Sequence, residues 1–227
     1  MSLRGKVALV TGAGDIPGTT IAVALAKAGA KVAVEGGPQV QERVLRVVET
    51  FGGDALPVRG SLTEDSGVSH ILSNIEAIMG PVDILVNASG IRLNKAVTDA
   101  SSDEWDQVLS SKARAAFLCT KAVLPSMKQR GAGHIISVSS AQAAIASSAN
   151  HTALCASESA LMGFSNALAR EVSTDGIHVS VLCAAGPIAG QDGDGSSGIN
   201  PEEIAQDVVY LANRQGSTSS TQLIISP

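Results

Sequence analysis

The sequence predicts an α/β domain in which a parallel sheet is covered by helices on both faces. Short, continuous apolar runs such as Lys6–Thr11 (KVALVT) and Asp83–Asn87 (DILVN) alternate along the chain with longer runs of helical periodicity. Buried parallel strands joined by helices produce this alternation. At 227 residues the chain has the length of one such domain, without an internal repeat or a linker. We therefore expect a single doubly wound, Rossmann-type domain over residues 1–227, with seven parallel strands.

The apolar runs and the helix signals place the individual elements. The predicted strands are Lys6–Thr11, Lys31–Val34, Ala55–Val58, Asp83–Asn87, His134–Val138, His178–Leu182 and Leu223–Ile225. The predicted helices are Thr19–Ala28, Gln39–Phe51, Thr63–Met79, Asp103–Lys128, one within Ser139–Glu171, and Pro201–Ala212. Ser101 and Glu104 have the spacing of a capping box for the fourth helix. The stretch Gly186–Gly198 (GPIAGQDGDGSSG) is a Gly-rich loop between the last elements.

Composition excludes several classes of function. The formal net charge is −5 with both signs scattered, so we expect no nucleic-acid surface and no membrane-binding helix. No apolar run reaches membrane-spanning length and no leader follows Met1, which predicts a cytoplasmic protein. The three cysteines, at positions 119, 155 and 183, lack metal-ligand spacing and are expected to be buried thiols. Aromatic residues make up only 2%, so core and interfaces should depend on Ala, Val, Ile and Leu.

Four motifs carry a family resemblance that covers nearly the whole chain. They are TGAGDIPG after the first strand, DILVNASG at the fourth, EWDQV on the long helix and HIISVSS at the fifth strand. With these motifs the chain resembles the short-chain dehydrogenase/reductase superfamily, and within it the acyl-thioester ketoreductases and hydroxyacyl dehydrogenases. The resemblance implies a nicotinamide cofactor at the Gly-rich turn. It also implies hydride transfer supported by a tyrosine, a lysine, a serine and an asparagine.

Most of the catalytic residues that the resemblance implies are replaced in this chain. The tyrosine and lysine positions, four residues apart on a helix, fall on Leu154 and Glu158, and the asparagine position falls on Lys112. Ser140 is the best match for the serine, and Tyr210, the chain's only tyrosine, lies far downstream. Leucine cannot transfer a proton, and a glutamate repels a cofactor's phosphates. We therefore expect a vestigial pocket without catalytic residues of the family type.

The Gly-rich turn departs from the family pattern Thr-Gly-x-x-x-Gly-x-Gly. Gly12 and Gly18 are kept, but the middle glycine is Ile16, and Pro17 follows it. A β-branched side chain thus stands where a pyrophosphate must approach the backbone, and the proline removes an N–H donor. The carboxylate of Asp15 is also placed to cap the following helix. The turn is expected to be vestigial and to hold no cofactor.

The positions that the resemblance places beside the adenosine half of the cofactor also differ from the family pattern. Glu35, at the end of the second strand, is a candidate ribose ligand, and no Arg or Lys follows it to bind a 2′-phosphate. NAD is therefore favoured over NADP if either binds. Ser61 stands where the family usually has an aspartate beside the adenine, and Asn87 is the one asparagine kept from the family's Asn-Asn-Ala-Gly motif.

The replaced residues allow two arrangements in the pocket. Lys112 and Glu158 either form a buried ion pair, because a lone buried charge costs several kcal/mol, or both reach solvent. His151, one helical turn before Leu154, also allows a Ser140–His151–Glu158 grouping that is similar to a hydrolase triad. The triad is disfavoured because no nucleophile elbow accompanies it.

Two classes of function remain open. The favoured one is a non-catalytic subunit, a structural or regulatory partner of an active dehydrogenase or ketoreductase paralogue in a hetero-oligomer, with self-association also open. The resemblance implies oligomer contacts through the long central helices and through the last helix and strand, which this chain keeps. The alternative is an enzyme with residual or repurposed chemistry. It would be an NAD-dependent oxidoreductase with an unusual site, or would use Lys112, Glu158 or His151 in acid/base catalysis.

Overall fold

Seven strands form one sheet in the order β3-β2-β1-β4-β5-β6-β7. The structure, a computed structural model, describes residues 2–14, 16–140, 149–190, 198–215 and 220–226. The strands are β1 (Val7–Thr11), β2 (Lys31–Glu35), β3 (Ala55–Val58), β4 (Ile84–Asn87), β5 (Gly133–Ser140), β6 (Ile177–Ala184) and β7 (Ser220–Ile225). Each neighbouring pair is parallel. The strand order reverses between β1 and β4, so the predicted doubly wound, seven-stranded sheet is confirmed.

Helices cover both faces of this sheet. They are α1 (Gly18–Lys27), α2 (Pro38–Glu49), α3 (Asp65–Ile78), α4 (Ser102–Leu109), α5 (Ala115–Arg130), α6 (Thr152–Glu171) and α7 (Pro201–Ala212). A π-helical segment, Ser110–Arg114, joins α4 to α5. The predicted uninterrupted helix Asp103–Lys128 is therefore wrong in its middle, where the π-helical segment alters the hydrogen bonding. The predicted capping box of Ser101 and Glu104 is confirmed at the start of α4.

Successive side chains of the strands pack alternately into two separate apolar layers. In β4, Ile84 and Val86 join the layer beneath α1 and α7, whereas Leu85 joins the layer beneath α3, α5 and α6. Successive side chains of a strand point to opposite faces, which is why a continuous apolar run marks a strand buried on both sides. The parallel arrangement brings the carboxyl ends of β1, β4, β5 and β6 to one edge. The candidate site lies there.

The aromatic and cysteine side chains only partly follow the prediction. The buried apolar side chains of the described residues include no Phe, Tyr or Trp, as expected. Trp105, Phe117 and Tyr210 lie on the surface instead, with 36%, 46% and 46% of their area exposed. Two cysteines, at positions 119 and 183, are buried, and burial raises the pKa of the Cys119 thiol to about 12. The prediction is wrong for Cys155, which is partly exposed on α6.

Two features are absent from the described residues. None of the helices is both long and apolar enough to cross a membrane. No group of three or more His, Cys, Asp or Glu side chains is placed to hold a metal ion.

Candidate functional site

A cavity of about 300 Å³ opens at the carboxyl edge of the sheet. Its volume is at the lower end of the range for ligand pockets, which is roughly 300–1,000 Å³. The loops that follow β1, β4 and β6, the end of β5 and the first turns of α6 surround it. The polar residues of its wall are Arg92, Lys112, Ser139, Ser140, His151 and Glu158, and its apolar side chains include those of Ile16, Ile91, Val138, Leu154 and Ile188.

Lys112 and Glu158 form an ion pair at the base of this cavity. The Lys112 Nζ lies 2.7 Å from the Glu158 Oε1, and the two side chains are only 10% and 5% exposed. The predicted buried pair is confirmed, and the arrangement in which both charges reach solvent is wrong. Two opposite charges at this distance compensate each other's loss of hydration, whereas either one alone would remain an unpaired buried charge.

The loop after β4 and the π-helical segment position Lys112. Gly90 lies directly under the lysine side chain, because a Cβ added there would be 2.6 Å from the Lys112 Cε. The Ser89 hydroxyl donates to the Ser111 carbonyl at 3.1 Å, and the Ile91 N–H donates to the Ser111 hydroxyl at 2.9 Å. These bonds connect the loop to the π-helical segment. They therefore fix the backbone from which the Lys112 side chain enters the cavity.

The second carboxylate oxygen of Glu158 is held by the end of β5. The Ser139 hydroxyl donates to Glu158 Oε2 at 2.9 Å, and the Ser140 N–H donates to the same oxygen at 3.1 Å. Sequence matching favoured Ser140 as the functional serine, but the hydroxyl that contacts Glu158 belongs to Ser139. The difference arises because β5 continues to Ser140 and its side chains alternate between the faces of the sheet.

The residues of the hydrolase-like grouping do not come together as a triad. Both carboxylate oxygens of Glu158 are taken by Lys112, Ser139 and the backbone of Ser140, and His151 is not among its partners in the described part of the chain. His151 is the N-cap residue of α6, and its side chain makes no capping hydrogen bond. The described residues thus lack the contact between histidine and carboxylate that a triad requires, in agreement with the sequence analysis, which disfavoured this grouping.

At the position of the family's proton-donating tyrosine, Leu154 contributes an apolar side chain to the cavity wall. It lies one turn before Glu158 on α6, is 8% exposed and lines the cavity. Tyr210 lies on α7, against the opposite apolar layer from α6, so it does not supply the missing phenol.

The two glycines kept in the turn after β1 are required by the backbone itself. Gly12 has a φ of +66°, and a Cβ on it would be 2.4 Å from the Ser89 Cα. A Cβ on Gly18 would be 2.3 Å from the Gly12 carbonyl oxygen. In dinucleotide-binding turns the first and third glycines serve the turn and the packing of helix on strand, while the middle one lets the pyrophosphate approach. At that middle position this chain has Ile16.

The start of α1 also departs from the pattern of a phosphate-binding helix. Pro17 is the N-cap residue of α1, lacks an N–H, and is preceded by a cis peptide bond. Ile16 and Pro17 both line the cavity. The predicted capping role of Asp15 lies outside the described residues.

Glu35 faces the turn after β1. Its Oε2 accepts a hydrogen bond from the Gly12 N–H at 3.0 Å, and its backbone carbonyl accepts one from the Ala13 N–H at 2.9 Å. Burial raises the pKa of this carboxyl, an effect that the Gly12 hydrogen bond partly opposes. The predicted ribose ligand thus already has a partner inside the protein.

Sequence reasoning missed Gln41, which joins the ends of β2 and β3. Its Nε2 donates to the carbonyls of Val34 at 3.1 Å and Val58 at 2.7 Å, and its Oε1 accepts from the Arg59 Nε at 3.1 Å. The side chain is 2% exposed. A polar residue on the strand-facing side of an amphipathic helix was the signal that could have indicated it.

The two remaining adenosine-side positions, Ser61 and Asn87, differ in how their polar groups are satisfied. The Ser61 hydroxyl shares a hydrogen bond of 3.1 Å with the Thr63 hydroxyl at the surface. Asn87 is 3% exposed, and neither of its amide atoms has a hydrogen-bond partner among the described residues. Nothing in the described structure explains this unsatisfied amide.

Comparison with known proteins identifies relatives along most of the chain. The short chain dehydrogenase family matches residues 6–191 of this chain. The 3-oxoacyl-[acyl-carrier-protein] reductase FabG of Salmonella typhimurium is 34% identical over 182 residues, 80% of this chain and 73% of that protein. An uncharacterized oxidoreductase of Staphylococcus saprophyticus is 26% identical over 240 residues, covering 100% of this chain and 99% of its own.

Solved structures agree with these sequence relatives. A short-chain type dehydrogenase/reductase from Mycobacterium marinum has a TM-score of 0.91 and 27% identity, covering 99% of this chain and 95% of that one. A metagenomic short-chain oxidoreductase in complex with NADP has a TM-score of 0.88 and 27% identity, covering 100% of both chains.

Proposed function

Because this chain belongs to the short-chain dehydrogenase family, we propose that it is a non-catalytic member that acts as a structural or regulatory partner of an active dehydrogenase or ketoreductase. The ion pair between Lys112 and Glu158 beside Leu154 is the observation on which the proposal rests. Carbonyl reduction by hydride transfer requires a group that gives a proton to the developing alkoxide. Leu154 has no such proton, and both oxygens of Glu158 already accept from neighbouring groups.

We infer that the chain uses neither NAD nor NADP. In the described residues the Gly12 N–H is taken by Glu35, Pro17 has no N–H, and Ile16 occupies the position at which a pyrophosphate needs an open backbone. Glu158 adds a carboxylate to the base of the same cavity. If one cofactor were to bind weakly, NAD is favoured, because no basic residue directly follows Glu35.

An uncharged surface on α6 supports the proposed partner role. Between Thr152 and Ala169 the only charged residue is the buried Glu158, so the outward face of this helix carries no charge over about five turns. Phe117 of α5 lies beside it, with its ring 6.4 Å from that of Phe164 in an edge-to-face contact. Protein interfaces are enriched in aromatic side chains and depleted of charge at their centre.

Co-expression with an active family member from the same organism tests the association. The two chains should elute together in size-exclusion chromatography, and the partner should lose solubility or activity when this chain is omitted. Ala160→Arg places a charge on the exposed face of α6 and should abolish co-elution, whereas Ala77→Arg on the exposed face of α3 is the matched control and should not. If neither co-elution nor any effect on the partner is found, the proposal fails.

Restoring the family's residues should not restore reductase activity. The triple variant Lys112→Asn, Leu154→Tyr, Glu158→Lys supplies the asparagine, tyrosine and lysine but leaves the turn at Ile16 unchanged. We expect turnover of a 3-oxoacyl thioester with NADH or NADPH to stay at the wild-type background. Circular dichroism must first show that the variant is folded. Measurable turnover would show that the turn still accepts a cofactor.

A repurposed enzyme is the second candidate function, and one observation favours it. Lys112, Glu158, His151 and the two serines line one cavity, so acid and base groups are within reach of a small ligand. The ion pair must open for either of its members to exchange a proton with such a ligand. Turnover in a substrate screen that Glu158→Gln abolishes, at a temperature where circular dichroism shows the variant still folded, would favour this candidate over the non-catalytic one.

A further inference from the structure

We propose that the cavity at the carboxyl edge of the sheet binds a small carboxylate with a short apolar tail, and that Lys112 holds the carboxylate. Such a site needs neither a partner chain nor turnover, so it goes beyond both candidate functions. The cavity is open to solvent and has a volume of about 300 Å³. A water molecule takes up roughly 30 Å³, so the cavity has room for about ten non-hydrogen atoms, far fewer than a nicotinamide dinucleotide contains.

Lys112 supplies hydrogen-bond donors at the base of the cavity. An ammonium group has three N–H donors, and within the described residues the Lys112 Nζ has one partner, the Glu158 Oε1 at 2.7 Å. Further donors of Lys112 therefore remain for a ligand. The other carboxylate oxygen of Glu158 already accepts from the Ser139 hydroxyl and the Ser140 N–H. The base of the cavity consequently favours a ligand that brings acceptor oxygens.

The charges of the wall favour a carboxylate over a neutral acceptor. Among the described residues that line the cavity, Arg92 and Lys112 are cationic and Glu158 is the one acid. A hydrogen bond from an ammonium to a carboxylate is roughly twice as strong as one between neutral groups. The Lys112 side chain is only 10% exposed, so little solvent screens the attraction. Glu158 repels the same ligand, and wild-type affinity should therefore be modest.

The apolar side chains of the wall give the ligand its orientation. Val138 and Leu154 are each 8% exposed and line the buried part of the cavity, whereas Ile91 is 50% exposed and marks the side that opens to solvent. A short alkyl tail gains affinity with each methylene that it buries against such side chains. The carboxylate therefore lies at the buried end beside Lys112, and the tail points towards Ile91.

Binding of 4-methylpentanoate to the full chain tests the proposal, with 4-methylpentanamide as the matched neutral ligand. Each has about eight non-hydrogen atoms and fits the volume of the cavity. Isothermal titration calorimetry should give a Kd of about 1 mM for the carboxylate and a Kd at least tenfold higher for the amide. Equal affinity for the two ligands would overturn the proposal, and so would the lack of saturable binding of the carboxylate at about 20 mM.

Two variants locate the bound ligand. Glu158→Gln removes the repelling carboxylate and leaves Lys112 without its counter-ion, so the Kd of 4-methylpentanoate should fall about tenfold while that of the amide stays within about twofold. Leu154→Trp extends an indole into the cavity and should raise the Kd about tenfold. Val97→Trp is the matched control, because Val97 is 68% exposed and does not line the cavity, and it should leave the Kd unchanged.

Circular dichroism must show that each variant is folded at the temperature of the titration. If Leu154→Trp does not fold, Ile91→Trp replaces it and should also raise the Kd, because it narrows the open side of the cavity. An unchanged Kd in Glu158→Gln would place the carboxylate away from Lys112, and an unchanged Kd in the tryptophan variant would place the ligand outside the cavity. Either result overturns the proposal. Failure to associate with a partner would alter none of these affinities, so the two proposals fail independently.

Discussion

Replacing Glu158 by alanine is expected to lower the free energy of unfolding by about 3–5 kcal/mol, the cost of leaving one member of a buried ion pair without its partner. The Lys112 side chain is 10% exposed and would keep a charge at the base of the cavity. The Ser139 hydroxyl and the Ser140 N–H would lose their acceptor at the same time. Urea denaturation followed by circular dichroism measures the change.

The double variant Lys112→Met, Glu158→Leu separates the effect of charge from that of packing. It removes both charges together and should be distinctly more stable than Glu158→Ala alone. An exposed pair supplies the matched control, because Lys121 of α5 lies 2.9 Å from Asp65 with both side chains more than half exposed. Asp65→Ala should have a small effect, since solvent screens such pairs. Equal stability of the single and double Lys112 and Glu158 variants would contradict a coupled buried pair.

Acidification is expected to destabilise the fold through His134. Burial, with the nearby charges of His178, Lys6 and Arg214, lowers the pKa of His134 to about 4, although a hydrogen bond to the Leu211 carbonyl opposes this. The imidazole titrates near 6.5 in the unfolded chain, so between these two values the unfolded state binds more protons than the folded state. Stability is therefore lost as the pH falls from about 6.5 to 4. The loss approaches about 3 kcal/mol at pH 4, at about 1.4 kcal/mol per pKa unit.

His134→Gln should remove this part of the acid sensitivity. The free energy of unfolding of the wild type and of the variant is compared from pH 7 to pH 4, where the wild type should lose about 3 kcal/mol more than the variant. His70→Gln, at an exposed position of α3, controls for the loss of an imidazole as such. Parallel stability curves for the wild type and His134→Gln would show that the stacked pair of His134 and His178, with ring centroids 5.0 Å apart, does not carry the effect.

The order of strands and helices could be predicted because it depends on local chemistry. The apolar run of β4, with alternate side chains entering different layers, identifies a strand buried on both faces without knowledge of its neighbours. The same holds for the capping box at Ser101 and Glu104, whose two hydrogen bonds join residues three positions apart. The positions of Lys112, Leu154 and Glu158 followed from motif spacing, and charge compensation then predicted which two would pair.

Only the tertiary structure decided which side chains those positions contact. Ser139 rather than Ser140 presents its hydroxyl to Glu158, because the end of β5 depends on its pairing with β6. The hydrogen bond from the Gly12 N–H to the Glu35 carboxylate joins residues 23 positions apart. The ion pair between Lys112 and Glu158 joins the π-helical segment to α6. Composition and periodicity constrain neighbours along the chain. Contacts between distant segments depend on the exact distances at which the folded elements meet, and in this protein those contacts make up most of the candidate site.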